Sequence, residues 1–208
     1  MTAPTSHDRI FVAYPLGLDP RFEKCLPDTE AQEGVPWSSG PLPARAFSND
    51  KYDPGGKTGE GIIQKEYDLK RRQWGLPTRD IRLITKDEER TIYYTDYWLA
   101  GHCPEMPDGL DLECFDDVVN EGTHRGICLL QIALRFTGKD IDGDFGPQTK
   151  TAIDVFVASN QVVALIDRYK IAREAFYHGL ANFRHFGSGW IRRAETIGKD
   201  SDAMAKVA

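Results

Sequence analysis

From Leu110 to Leu180 the apolar side chains return every three or four positions, and this period limits the fold more than any other feature of the chain. The segment LDLECFDDVVN, residues 110–120, reads as one helix that Gly122 can terminate. Thr123 can cap the next, 124–136, which carries Ile127, Leu130 and Leu134 on one face. Pro147 suits the first position of a third helix, 147–158. Val162, Leu165, Ile166, Tyr169, Ala172, Phe176 and Leu180 then hold the helical period through a long fourth one. No stretch alternates with the period of two that a half-buried strand requires, and there is no internal repeat. The chain reads as mainly α.

The N-terminal half gives weaker signals of the same kind. Phe22, Leu26 and Thr29 have helical spacing over 20–33, although Pro27 removes an interior hydrogen bond and is able to break that helix. Residues 61–74 read as a helix with Ile62, Ile63, Tyr67 and Leu69 apolar. Thr85 and Glu88 form a capping box, in which the hydroxyl accepts a free amide and the carboxylate reaches back. It opens a helix over 86–99 with Ile92, Tyr93 and Tyr97 near one face. Phe22, Ile92, Phe115, Ile127, Leu130, Leu134, Leu165 and Phe176 are expected in the core. Pro36, Gly40, Pro41 and Pro43 predict an irregular surface loop over 35–46, and 138–146 is a turn-rich break.

Charge narrows the function. Lys and Arg number 26 against 32 Asp and Glu, a net charge of −6, which argues against a general duplex-DNA binder. No apolar run spans a bilayer, so no membrane insertion is expected, and the first residues lack the pattern of a secretory signal. Cys25, Cys103, Cys114 and Cys128 lack CxxC spacing and the five histidines lack HExxH, so no metal or cofactor is expected. Asp140-Ile-Asp-Gly-Asp144 fails as a calcium loop, because Phe145 and Thr151 stand where Gly and Glu are needed. Gly55-Gly56-Lys57-Thr58 fails as a phosphate loop, because Lys51 replaces its first glycine. Gly187-Ser188-Gly189 lacks the flanking pattern of a hydrolase serine.

What remains are carboxylates near aromatic rings. Glu33 ends the first helix; Asn49, Asp50, Asp53, Thr58 and Glu60 gather beside glycines; Tyr93, Tyr94, Tyr97 and Trp98 cluster on one helix. That combination suits sugar chemistry. A carboxyl beside an apolar wall can keep its proton for a leaving glycosidic oxygen, and aromatic faces stack on pyranose C–H surfaces.

Four segments, in order, resemble the glycoside hydrolase family 108 N-acetylmuramidases, a bacterial and phage lysozyme family. The first is Phe22-x-x-x-Leu26 followed by Glu33-Gly34. The second is Asn49-Asp50-x-x-Asp53-Pro54-Gly55-Gly56-x-Thr58-x-x-Gly61-Ile62. The third is Tyr97-Trp98 with Phe115-Asp116-x-x-Val119-Asn120-x-Gly122. The fourth, Asp142-Gly143-x-x-Gly146-Pro147-x-Thr149 with Phe186-Gly187-x-Gly189-Trp190-x-x-Arg193, is similar to the family's C-terminal peptidoglycan-binding segment.

The resemblance implies a lysozyme-like helical domain over 20–137, a small peptidoglycan-binding helical segment over 138–195, an N-terminal extension 1–19 and a C-terminal tail 196–208. It implies cleavage of the β-1,4 bond between N-acetylmuramic acid and N-acetylglucosamine. Glu33 is then the catalytic acid, and Asn49, Asp50, Asp53, Thr58, Tyr97, Trp98, Asp116 and Asn120 are substrate-binding candidates. The water is positioned by the 49–60 loop or by Asp116. Peptidoglycan glycan strands are the expected partner, with no nucleic acid. Without a signal, the protein is expected to stay cytoplasmic until released, or to travel with a virion and contact phage tail or particle proteins.

The chain departs from the family pattern at Val35, where a second Gly is usual, at Gly59, where Asn is usual, and by an insertion over 35–46. An alignment without the insertion places Ala44 at the acid's position and implies an inactive wall-binding or structural module. The Glu33 alignment also accounts for Phe22 and Leu26.

Overall fold

A computed structural model describes residues 19–33, 47–48, 58–59 and 61–207. The expected loop over 35–46 lies outside these residues. Among the described residues the fold is mainly α, and the contacts divide it into two compact units. The first holds 19–23 and 30–94; the second holds 24–29 and 95–207.

Helix α1, Pro20–Gln32, begins with Asp19, whose carboxylate accepts the backbone N–H groups of Arg21 and Phe22 at 3.0 and 3.3 Å, and with Pro20 at its first position. It runs through Pro27 unbroken, contrary to the expected risk. Phe22, Cys25, Leu26 and Thr29 form a buried stripe on it, and burial outweighs the missing hydrogen bond.

In the first unit, β1 (Phe47–Ser48), β2 (Thr58–Gly59) and β3 (Ile62–Ile63) form an antiparallel sheet of order β1-β2-β3, with Thr58 paired to Ser48 and Ile63. The expected helix over 61–74 is therefore shorter: 61–63 complete a hairpin and α2 spans Gln64–Gln73. Ile62 is fully buried on the strand. Strands of two residues are too short to show a period in sequence. Helix α3, Lys86–Ile92, opens with the expected Thr85–Glu88 capping box. From Tyr93 to Trp98 the chain widens into a π-helix, where the sequence predicted α-helix to 99. Tyr93 and Trp98, five residues apart, are both buried, and that spacing fits a π turn better than an α turn.

The second unit is a helical bundle of α4 (Leu110–Glu121), α5 (Thr123–Ala133), α6 (Pro147–Ala158), α7 (Val162–His178) and α8 (Phe183–Ala205). Helix α4 lies at its centre, packed on α5, α7 and α8. Leu110, Leu112, Phe115 and Val118 are all fully buried there, each stabilising the fold by roughly 1.5–3 kcal/mol. Seven of the eight expected core residues are buried; Phe176 is half-exposed, and Tyr177 takes the inward position. The Tyr177 hydroxyl explains the choice, since it is 3.2 Å from Arg173 and 3.0 Å from the Asn120 amide. Residues 196–205, read as part of a tail, continue α8 and bury Ile197, Gly198 and Ser201.

Candidate active site

Glu33 caps the C-terminal end of α1, its backbone N–H donating to the Glu30 carbonyl at 3.1 Å. Within the first unit this helix is tied to the region of α3. Lys86 meets Glu30 at 2.8 Å, Arg90 pairs with Glu23, and the Phe22 ring stands edge-on to Tyr94 at 5.1 Å. Helix α3 is itself anchored through Glu88, whose buried carboxylate serves the capping box, accepts the Tyr67 hydroxyl at 2.8 Å and pairs with Arg71 and Arg79. Burial pushes the Tyr67 hydroxyl up to about 12, helped by the Glu88 charge beside it. The scaffold under Glu33 is thus set by charged contacts as well as packing.

The Glu33 side chain is half-buried and rests against the turn of the β2–β3 hairpin. Gly61 sits in that turn at φ +71°, a conformation glycine adopts without strain. A Cβ at residue 61 would stand 3.1 Å from Glu33 Oε2 and 3.3 Å from the Tyr93 hydroxyl. The carboxylate, the hairpin backbone and a phenol from a buried tyrosine therefore converge at one point. Tyr93 and Gly61 were legible only as parts of an aromatic cluster and of a motif. Their convergence on Glu33 depends on the π-helix and the hairpin, which sequence did not reveal.

The other candidates are placed as follows. Thr58 is half-buried on β2, in the hairpin that carries Gly61. Asn49, Asp50 and Asp53 lie outside the described residues. Tyr97 is half-buried in the π-helix. Trp98 is fully buried, its ring edge-on to Phe115 at 5.4 Å, which gives it a packing role. Asn120 is half-buried and donates to the Tyr177 hydroxyl at 3.0 Å and to Glu121 at 2.9 Å.

Asp116 is fully buried, and both its oxygens are held by guanidinium groups. Arg173 reaches Oδ2 at 2.8 Å, and Arg193 spans Oδ1 and Oδ2 at 2.9–3.1 Å. Lone pairs so engaged are poorly placed to hold a water. The same cage contains Glu113, 2.8 Å from Arg173, and Asp117, 2.9 Å from it. Burial pushes Glu113 up to about 7, more than the Arg173 charge lowers it, and it raises Asp117 as well. The sequence put Arg193 among wall-binding residues; the structure places it on Asp116. Arg173 was missed altogether, although its place on the face of Tyr169, Ala172 and Tyr177 was the available signal. Among the described residues no group of His, Cys, Asp and Glu could hold a metal ion.

Comparison with known proteins bears on the family and the fold. Residues 32–122 match the family model described as Glycosyl hydrolase 108, and residues 125–195 match that of a Predicted Peptidoglycan domain. Among solved structures, SagA of Brucella abortus is 26% identical, covers 89% of this chain and 95% of that chain, and superposes with a TM-score of 0.69. No curated protein matches the chain. The resemblance read from the four sequence segments is thus shown, the fold is lysozyme-like and mainly α, and the two segments together support peptidoglycan hydrolysis.

Proposed function

We propose that this chain, which carries a glycosyl hydrolase 108 segment followed by a peptidoglycan segment, is an N-acetylmuramidase with Glu33 as its general acid. The observation that carries the reading is the convergence of the Glu33 carboxyl, Gly61 and the Tyr93 hydroxyl at the end of α1. In the reaction, the Glu33 proton passes to the glycosidic oxygen as the bond from that oxygen to the anomeric carbon breaks. Water adds its oxygen to the anomeric carbon, giving the new reducing end, and the proton it releases goes to solvent, from which Glu33 is reprotonated. A positioned acid of this kind typically contributes about 10²–10⁴-fold in rate. Gly61 supports the assignment because any larger residue would press on the carboxyl. The bond cleaved is identified by digesting purified peptidoglycan sacculi, reducing the fragments and analysing them by mass spectrometry. Reduced N-acetylmuramic acid at the new ends is the expected result; reduced N-acetylglucosamine, or no new ends, contradicts it.

A second reading, a non-catalytic wall-binding module, is favoured by Val35 and by Gly59. Gly59 is buried on β2 between Phe47 and Ile62, so the Asn usual at this place is absent from the hairpin beside Glu33. Sacculi that retain the protein but release no fragments would establish this alternative.

A further inference from the structure

In the second unit, aromatic rings fall into two groups. Trp98, Phe115 and Tyr169 are wholly buried. Phe176 and Trp190 keep part of their surface in solvent, and Phe186 is 57% exposed. Phe186, Trp190 and Phe176 are linked into one row through Tyr177. Phe186 lies 5.8 Å from Trp190, Trp190 lies 5.7 Å from Tyr177, and Tyr177 lies 6.0 Å from Phe176. Arg125 closes the row with its guanidinium 4.6 Å from the Phe176 ring. Tyr177 is the buried member, and its hydroxyl accepts from the Asn120 amide, which also bonds Glu121.

We propose that Phe176, Trp190 and Phe186, rimmed by Asn120, Glu121 and Arg125, form a platform on which pyranose rings of a glycan strand stack. This subsite rests on the peptidoglycan reading above and adds a place on the chain where the polymer binds. Contiguous apolar surface that reaches solvent is what marks an interaction site. The rim chooses the ligand class: an amide, a carboxyl and a guanidinium beside apolar ring faces match a sugar, with its C–H face and its polar edge. Burial and the Asp117 charge push Glu121 up to about 7, so it can donate as well as accept toward a sugar oxygen. Most of the row lies within the segment that matches the Predicted Peptidoglycan domain.

The test is co-sedimentation of the full chain with insoluble, protein-free sacculi in the cold, with Phe186→Ala and Phe176→Ala each compared with wild type. Phe186→Ala touches an exposed ring and should leave the fold intact, which circular dichroism verifies. Each variant should bind about tenfold more weakly. Val155→Ser, on an exposed residue of α6, is the control and should bind as wild type does. Wild-type retention with undiminished binding by both aromatic variants overturns the platform and leaves the peptidoglycan reading standing. Neither retention nor cleavage by wild type overturns the reading itself, and the platform with it. Binding to anionic phosphatidylglycerol vesicles in place of sacculi, lost in Phe186→Ala, assigns the row to a lipid surface and overturns the glycan occupant.

Discussion

One buried charge cluster in each unit sets the two apart, and the two clusters have opposite proportions. In the first, one carboxylate, Glu88, meets two guanidinium groups, Arg71 and Arg79. In the second, three carboxyls, Glu113, Asp116 and Asp117, share Arg173 and Arg193. In the first cluster no second carboxylate repels Glu88, and two guanidinium groups satisfy its oxygens. An excess of anion is relieved by keeping one carboxyl protonated, and Glu113, pushed up to about 7, is the group that does so. The first cluster ties α3 to the neighbouring helix and loop. The second ties α4, from the hydrolase segment, to α7 and α8, from the peptidoglycan segment. Helix α4, inside the segment that matches the hydrolase model, therefore shares a core with the segment that matches the peptidoglycan model.

This difference sets the order of expected effects. Arg173→Met should be the most damaging change, because it leaves three carboxyls buried with one guanidinium. A loss of about 3–5 kcal/mol is expected, measured by urea denaturation, with hydrogen exchange showing the loss across α4, α7 and α8. A change of under 1 kcal/mol would mean the cage contributes little.

Glu88→Gln in the first unit should cost about 2–3 kcal/mol. It weakens a cap and two ion pairs, but the freed guanidinium of Arg79 is 30% exposed and can be hydrated. Hydrogen exchange should show it loosening α3 before any part of the bundle.

The stability of the second unit should also depend on pH, through Glu113 in the cage and Glu121 beside it. Glu113 and Glu121 have an ordinary value of 4.5 and are raised to about 7 in the folded chain. Between those values the folded state holds more protons than the unfolded state, so stability falls as pH rises. The contribution is complete below the ordinary value and lost above the raised one. The second unit should therefore lose roughly 2–4 kcal/mol between about pH 5 and about pH 8, most of it from the fully buried Glu113, because solvent screens the half-buried Glu121. Glu121→Gln should flatten that slope; an unchanged slope would remove Glu121 from the account. At the small end, Lys150→Ala breaks an exposed i,i+4 pair with Asp154 and should cost under about 0.5 kcal/mol.

Much of the bundle was readable in the sequence because large apolar residues mark its period. Pro147 set the start of α6, and the capping box set the start of α3. Helix α8 escaped because all its buried positions but Ile197 are small: Gly187, Ala194, Gly198 and Ser201 carry little apolar signal. They serve close approach instead. A Cβ on Gly109 would collide with the Ser201 carbonyl, and one on Gly198 would stand 2.8 Å from the Lys170 side chain. The buried Arg173 cage escaped because charged residues in a helix read as a solvated face. Glu33 was found through its neighbours in sequence, whereas Tyr93 joins it only through a π-helix, a distortion that propensity does not encode. Trp98 and Asp116 fit the motif as sugar-binding candidates, yet both are fully buried in packing and ion-pair contacts.

The claim that Glu33 is the acid is tested most directly by Glu33→Gln. The amide preserves shape and most hydrogen bonding but has no acidic proton to give. We expect unchanged hydrogen-exchange protection, unchanged retention on sacculi, and release of new reducing ends slowed by about 10²-fold or more. Release by Glu33→Gln at the wild-type rate would contradict the assignment and remove the convergence with Gly61 and Tyr93 as the basis of activity.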